Sequence, residues 1–356
     1  MLLYLSFGSI KKTKMKESHF SQQQWLPFYN LRKIGNTTLF QGNNKRKKYF
    51  EGWYFKMVAK DASSIFSVIP GISLSADGKK QHAFIQLING LTAQTSYYSF
   101  PIEEFRFAVS GFAISIGHNY FSKEKLILDL KDQDSVVSGK IEMSNLVEYT
   151  SGRLMNYGIM GWYRFVPFME CYHGVLSLTH DLKGQMHAND QVYHFDGGKG
   201  YIEKDWGSSM PSAWIWMQSN NFSKSDSSFM LSIANIPWLG KSFTGYLGYF
   251  YHDHKIHHFA TYRPTSLDLE IDEADKVKIT LKNKQFTFVV HARSLNTGIL
   301  KAPTEGSMNR RIPESIDAVL EISMLDQGGK LIFSDSSTIT GLEMVGEYRK
   351  LQGSIK

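Results

Sequence analysis

The stretch Gly198 to Asn220, GKGYIEKDWGSSMPSAWIWMQSN, gathers two carboxylates (Glu203, Asp205), four aromatic rings (Tyr201, Trp206, Trp214, Trp216) and two carboxamides (Gln218, Asn220) within 23 positions. On an extended strand alternate side chains share a face. Tyr201, Glu203 and Asp205 then point one way, and Ile202, Lys204 and Trp206 the other. After the break at Gly207 to Pro211, Trp214, Trp216, Gln218 and Asn220 share one face, with Ile215 and Met217 opposite. A carboxylic acid beside aromatic faces and neutral hydrogen-bonding groups suits a large, mostly apolar molecule with a polar head. The same residues have a plainer use, with Glu203 or Asp205 paired to Lys204 or Arg164 as a brace and the tryptophans packed as core.

The elements that must hold these residues are strands. Period-two alternation recurs after residue 49: Leu126, Leu128 and Leu130 share a face, as do Ile141 and Met143, Val277, Ile279 and Leu281, and Phe286, Phe288 and Val290. Turn signals fall at Asp77-Gly78, Asp181 to Gly184, Asp196 to Gly198 and Gln327 to Gly329. Helical periodicity is scarce, with room for a turn or two near Met160 to Phe165 and Pro313 to Ala318. Many short strands and few helices predict an all-β chain of antiparallel barrels or sandwiches, whose mouths are common ligand sites. The alternation divides into two units, at residues 45–210 and 211–356, behind a basic arm at 1–44. The carboxylate-rich stretch straddles the division, so the site is expected where the units meet.

Composition narrows the classes. The chain has 356 residues and a single cysteine, Cys171. An internal disulfide is impossible and a cysteine-based metal site is disfavoured; the lone thiol fits a reducing, cytoplasmic setting. Aromatic residues make up 14% of the chain, yet no apolar run reaches the ~20 residues of a membrane-spanning helix. The apolar start, Met1 to Ile10, precedes Lys11, Lys12, Lys14 and Lys16, the reverse of a secretory leader, and Met15 offers an alternative initiator. Residues 1–60 hold twelve Lys and Arg against Glu17 and Glu51, a larger surplus than the whole chain's +7. That arm is either a solvated segment or a peripheral contact for an anionic membrane surface; no nucleic-acid module accompanies it. His252, His254, His257 and His258 could suggest zinc, but Asp253-His254-Lys255 reads better as a hairpin tip, so no metal is expected. HExxH, GxSxG and Walker-type loops are absent from the sequence.

Three motifs carry a family likeness: YFEGWYFK (Tyr49 to Lys56), GWYRFVPFMECYHG (Gly161 to Gly174) and GYIEKDWGSSMPSAWIWMQSN (Gly200 to Asn220). In these the chain resembles the tocopherol cyclase family. The resemblance implies two packed lipocalin-like units, as in the wider group of carotenoid hydratases. It also implies cofactor-free ring closure of a prenylated hydroquinone, or a related isoprenoid, to a chromanol. Such chemistry protonates an alkene, shelters a tertiary cation and lets a phenol oxygen capture it. The proton donor must be a carboxylic acid kept neutral by apolar burial or by a neighbouring carboxylate. Glu203 is the first candidate and Asp205 the second, because a Tyr-x-acid element in the hydratase relatives matches Tyr201-Ile202-Glu203. Trp53, Trp206, Trp214 and Trp216 offer aromatic faces to a cation. Gln218 and Asn220 offer a phenol its hydrogen bonds. Glu51, on an apolar face with Tyr49, Trp53 and Phe55, and Glu170 and His173, within an aromatic segment, complete the candidate substrate-binding set. Two rivals remain open: a non-catalytic carrier of a hydrophobic ligand, and a hydratase in which water captures the cation.

Overall fold

The computed structural model describes residues 20–21, 27–133, 135–150, 158–167, 169–238 and 240–355. The apolar start Met1 to Ile10, the lysines at 11, 12, 14 and 16, and Met15 lie outside the described residues. The described residues are almost wholly antiparallel β, in two sheets of 13 and 11 strands.

Both sheets follow one plan. In the first, strands Tyr49–Val58, Ile65–Leu74, Gln81–Asn89 and Thr95–Pro101 form a meander, and a second meander runs from Phe105–Ala108 to Cys171–Ala188. The last long strand, Lys199–Gly207, lies between Cys171–Ala188 and the first strand, Tyr49–Val58. In the second sheet Trp214–Ser219, Ser228–Trp238, Lys241–His252 and Lys255–Ala260 come first, and Ser266–Ile271 onward follows. Again a late strand, Leu331–Val345, pairs with the first, Trp214–Ser219. In each sheet two strands consecutive in sequence stand at or next to opposite ends of the strand order: Thr95–Pro101 and Phe105–Ala108, joined by Ile102–Glu104, with Phe20–Ser21 outermost beside the latter; and Lys255–Ala260 and Ser266–Ile271, joined by residues 261–265, with Gly353–Ile355 outermost beside the latter. Right-handed strand twist lets each sheet curl round its own core.

The alternation read from the sequence is the burial pattern of the strands. Leu126, Leu128 and Leu130, with Ile141 and Met143, fill the first barrel together with Trp53, Phe55, Phe105 and Phe121. Val277, Ile279, Leu281, Phe288 and Val290 fill the second with Ile215, Met217 and Phe250. A third apolar cluster, including Tyr54, Tyr201, Trp214, Trp216, Tyr249 and Ile316, occupies the seam between the sheets. Polar ties cross it. Gln86 exchanges two hydrogen bonds with the Lys301 backbone (2.9 and 2.8 Å). Ser228 Oγ donates to Leu178 O (2.7 Å), and Asn220 Nδ2 to Gly200 O (2.8 Å). The tip of the Gly298–Asp326 hairpin presses on the first unit at Gly306, whose φ is +79° and whose Cβ, if present, would stand 2.0 Å from Leu74 O. Only glycine fits there.

Two local expectations need correction. Asp181 to Gly184 is not a turn but lies inside the long strand Cys171–Ala188, because its backbone pairs with Ile141 to Ser144 across the sheet. Pro313 to Ala318 is also strand, within Ser307–Asp326, since Ile312 and Ile316 are drawn into the seam. The basic arm contains a helix, α1 (Pro27–Gly35). Proline at its first position costs no hydrogen bond, and Arg32 and Lys33 in its last turn favour the helix dipole. Gly161–Phe165 forms the short 3-10 turn its sequence suggested. Among the described residues no helix is long and apolar enough to cross a membrane.

Candidate active site

Alternation on four strands aims polar groups into the seam. Strand Lys199–Gly207 sends Ile202 and Trp206 into the first barrel's core and presents Glu203 and Asp205 to the other side. Register places His173 opposite Asp205 and Val175 opposite Glu203. From the second unit, Glu314 stands opposite Glu343, and Glu343 opposite Trp216. These residues border a cavity of about 1400 Å³, its open mouth included. Its wall is otherwise largely apolar and aromatic, with Phe50, Tyr54, Phe84, Trp214, Trp216 and Trp238 among the lining residues and Gln86 and Lys301 among the polar ones.

Two polar networks face this space. In the first, Glu203 Oε2 accepts from the Tyr201 hydroxyl (2.6 Å) and the Trp216 indole (3.3 Å), and lies 3.4 Å from His173 Nε2. His173 Nδ1 meets Asp205 Oδ1 at 2.8 Å. Burial alone would push the imidazole down, but the Asp205 and Glu203 carboxylates outweigh it and hold His173 up at about 10. His173 is therefore an imidazolium bridging two carboxylates at neutral pH. The ligand-type atoms of this trio lie within 4.8 Å of one another, the one such group among the described residues. Within it Nδ1 is hydrogen-bonded to Asp205, whereas Nε2 has no hydrogen-bond partner.

In the second network, Glu314 is fully buried; its Oε1 accepts from Tyr54 OH (2.6 Å), itself held by Ser67 Oγ (2.8 Å). Burial raises Glu314 to about 7, against the Tyr54 hydrogen bond and with help from the Glu203 charge. Its Oε2 has no hydrogen-bond partner. Glu343 accepts from the Trp214 indole (2.5 Å) and is pushed well above the usual carboxylate range, by desolvation first and by Glu314 next. The cavity thus holds carboxylic acids that keep their protons near neutrality beside a charged His–carboxylate cluster.

Of the residues expected from the sequence, the structure brings Glu203, Asp205, His173, Trp214 and Trp216 to the cavity wall, with Tyr201 bonded behind Glu203. Others are not brought there. In YFEGWYFK it is the even positions, Phe50, Gly52 and Tyr54, that line the cavity, while the odd ones face the barrel core. Trp53 is consequently buried against Phe105 and Phe112. Glu51 is sealed in an ion pair with Lys204 (2.5 Å), where Tyr49 OH and the backbone amides of Gln41 and Gly42 also donate to it. Lys204 sits over the rings of Trp53 and Trp206, so the lysine considered as a brace for Glu203 or Asp205 serves Glu51 instead. Trp206 stacks on Tyr172. Glu170 is half-buried and not part of the wall; its backbone carbonyl accepts from Ser208 and Ser209. Gln218 and Asn220 share the expected face but lie beyond the cavity, Gln218 holding the Lys56 ammonium (3.2 Å).

Of the four clustered histidines, His252, His254 and His257 border one surface pocket, but no three of the four bring ligand atoms together. Asp253 and His254, both with positive φ, form the hairpin tip. His252 meets Ser227 Oγ and His258 meets Tyr149 OH. Sequence reasoning missed Glu314 and Glu343. Their one signal was a lone acid amid apolar neighbours, in IPESI and GLEMV.

Residues 124–346, more than half of the chain, match the tocopherol cyclase-like family. A protein of Oryza sativa subsp. japonica described as a probable chloroplastic tocopherol cyclase is 26% identical over 203 residues, which is 52% of this chain. The match spans 42% of that relative's length. Among solved structures, CghA superposes with a TM-score of 0.54 at 10% identity, over 84% of this chain and 89% of that one. CghA with Sch210972 gives 0.53 at 11% identity, over the same shares. At such identities the likeness is one of fold, and it agrees with two curled antiparallel sheets. By the match over residues 124–346, the chain belongs to the tocopherol cyclase-like family.

Proposed function

We propose that the seam cavity closes a ring on a prenylated hydroquinone or a related isoprenoid by acid catalysis. Glu314 donates its proton to a trisubstituted alkene of the prenyl tail, leaving positive charge on a tertiary carbon. The phenol oxygen then forms a bond to that carbon and gives up its proton to the Glu203–His173–Asp205 cluster, from which Glu314 is reprotonated. One C–O bond forms, one π bond is consumed and no proton is lost overall, so no oxidant or reductant enters the balance. Tyr54, Trp214 and Trp216 offer ring faces to the cation, each worth ~0.5–2 kcal/mol where water is excluded. The carboxylates of Glu203 and Asp205 add attraction in a medium of low dielectric. Tyr201 positions Glu203 through its 2.6 Å hydrogen bond.

The observation that carries this reading is Glu314: buried, raised to about 7, with one oxygen unpartnered. A general acid works best when its pKa lies near the working pH. Glu203 was the sequence's first choice as acid. Its Oε2 is already engaged by Tyr201 and Trp216, so in this proposal it receives the phenol proton instead.

Incubation with geranylgeranyl hydroquinone, followed by chromatography and mass spectrometry, tests the assignment. Ring closure gives a product of unchanged mass and shifted retention. Gain of one water would make the protein a hydratase. Binding without any product, across neutral and mildly acidic pH, would make it a carrier and remove the catalytic assignment.

A further inference from the structure

Helix α1 buries one side only. Tyr29 packs on Phe107, and Arg32 reaches the carbonyls of Val109 and Ser110 (2.9 and 3.0 Å), which fixes the helix on the first barrel. At spacings of three, Phe28, Leu31 and Ile34 then face outward, 82%, 70% and 56% exposed. Phe28 and Leu31 are the two most exposed large apolar side chains among the described residues. Beside them, Trp162 and Phe165 of the 3-10 turn Gly161–Phe165 are about half exposed. Arg164 of that turn donates to the carbonyls of Ile34 and Lys33, so the two elements form one surface.

Large rings and aliphatics on an outer face are expensive to leave in water and mark an interaction site. The charge along this segment is of a single sign, with Lys48 alone paired to an acid from elsewhere, Glu305. From Phe28 to Lys48 there are six basic residues, Arg32, Lys33 and Lys45 to Lys48, and no acid. Lys33 Nζ bonds Gln41 O and Asn43 Oδ1 (2.8 and 2.5 Å), which brings the Lys45–Lys48 loop alongside the helix. The 3-10 turn also has an inner side: Met160 and Tyr163 line the seam cavity while Trp162 points out. Trp238, another lining residue, is 42% exposed. The apolar surface is therefore continuous with the cavity wall.

We propose that α1 and the Gly161–Phe165 turn form a docking face for an anionic lipid bilayer. Phe28, Leu31 and Trp162 insert between headgroups, and Lys45, Arg46 and Lys47 meet lipid phosphates. A lipophilic molecule then passes along Tyr163 and Met160 into the cavity without crossing water. Apolar insertion joined to a polybasic loop is the two-signal arrangement that reversible peripheral binding requires. The proposal rests on the reading that the cavity takes a lipophilic molecule.

Flotation of the full chain with vesicles of phosphatidylcholine alone, or with phosphatidylglycerol added, tests it. Partitioning onto the anionic vesicles should exceed that onto neutral ones by about tenfold or more and fall at high salt. The variant F28S/L31S/W162S and, separately, K45E/R46E/K47E should each lower it by about tenfold or more. Unchanged circular dichroism would confirm that both variants fold. No binding by the wild type, or equal binding by wild type and variants, overturns the proposal. So does light scattering that shows a self-assembly undone by F28S/L31S/W162S with no affinity for vesicles. Vesicle binding that arises only once residues 1–26 are removed would make that segment the occupant of the face, and this too overturns the proposal. Titration with geranylgeranyl hydroquinone dispersed in detergent, read by tryptophan fluorescence, reports on the cavity alone. Failure there with normal vesicle docking rejects the cavity reading and leaves the docking face standing.

Discussion

Replacing Glu314 by glutamine removes a titrating proton while keeping the volume and an oxygen to accept from Tyr54 OH. Its effect on stability follows from linkage. Burial lifts the carboxyl from 4.5 to about 7 in the folded protein, so between those values the folded state holds a proton that the unfolded state releases. The wild type therefore has its full stability from this group below pH 4.5 and loses it as pH rises through 7. The gap corresponds to ~3 kcal/mol, and full burial of Glu314 leaves little solvent to screen it. Glutamine does not titrate. Urea unfolding of both proteins at pH 4.5 and pH 8 should show the stability difference moving by ~3 kcal/mol in favour of the variant at the higher pH. With the hydroquinone probe, the same variant should bind normally yet turn over ~10²–10⁴-fold more slowly, the usual contribution of a positioned general acid. A stability difference that stays flat with pH would show that Glu314 holds no proton. A variant that retains full turnover would show that the proton it holds is not the one used.

His173→Gln removes the cation that Asp205 and Glu203 share. Because His173 is raised to about 10 from 6.5, its contribution is complete below pH 6.5 and lost through pH 10, so the variant's deficit in unfolding free energy should be largest at pH 6 and nearly gone by pH 10.5. Lys204→Met leaves the Glu51 carboxylate buried without its ion partner and is expected to cost ~3–5 kcal/mol in urea unfolding, whereas turnover by the surviving folded fraction should be retained. Cys171 lines the cavity, and its thiol is pushed well above its ordinary range by burial and the Asp205 charge. It should react with a thiol reagent far more slowly than a free cysteine at pH 8, and still more slowly with the cavity filled; unfolded-like rates would contradict its placement. Dialysis against EDTA is expected to leave turnover unchanged, and a loss restored by zinc would instead assign the His173, Glu203 and Asp205 trio to a metal.

Much of the fold was legible because a strand writes its burial directly into sequence. Leu126, Leu128 and Leu130 could be assigned to one face without knowing what they touch. The same alternation separated Glu203 and Asp205 from Lys204 and Trp206 correctly. What alternation does not tell is which of two buried faces meets the core and which the cavity. In YFEGWYFK both faces are apolar, and Glu51 made the odd face look functional; its counter-ion, Lys204, lies 153 positions away. Glu314 and Glu343 were hidden for a related reason. Each is a single acid on an ordinary strand, and what makes it unusual is that the second sheet folds back onto the first. Helix α1 was missed because its nine residues carry one inward aromatic, Tyr29, too weak a period to stand out in a basic arm.

Strand Lys199–Gly207 shows how one element can hold a saturated charge pair on one side and an unevenly balanced cluster on the other. On the core side, Glu51 and Lys204 are equal in number and nearly saturated: the carboxylate accepts from Tyr49, Gln41, Gly42 and Lys204, and the ammonium also reaches Leu39 O. Such a pair has nothing left to exchange. On the cavity side the balance is uneven in sign. Glu203 and Asp205 flank the His173 imidazolium, while Glu314 and Glu343 have Lys56 and Arg310 as the cations acting on them at longer range. Burial and the charge of neighbouring carboxylates act in the same direction on Glu314 and Glu343. The protons that remain settle on Glu314 and Glu343, where desolvation is largest among the causes. The excess of negative charge that forces those protons to stay is also what a developing cation would find when one of them leaves. Retention of the acid's proton and cation stabilisation then have one electrostatic origin. Neutralising Asp205 should therefore weaken both, lowering His173 toward its ordinary value and slowing turnover although Asp205 itself donates nothing to the substrate.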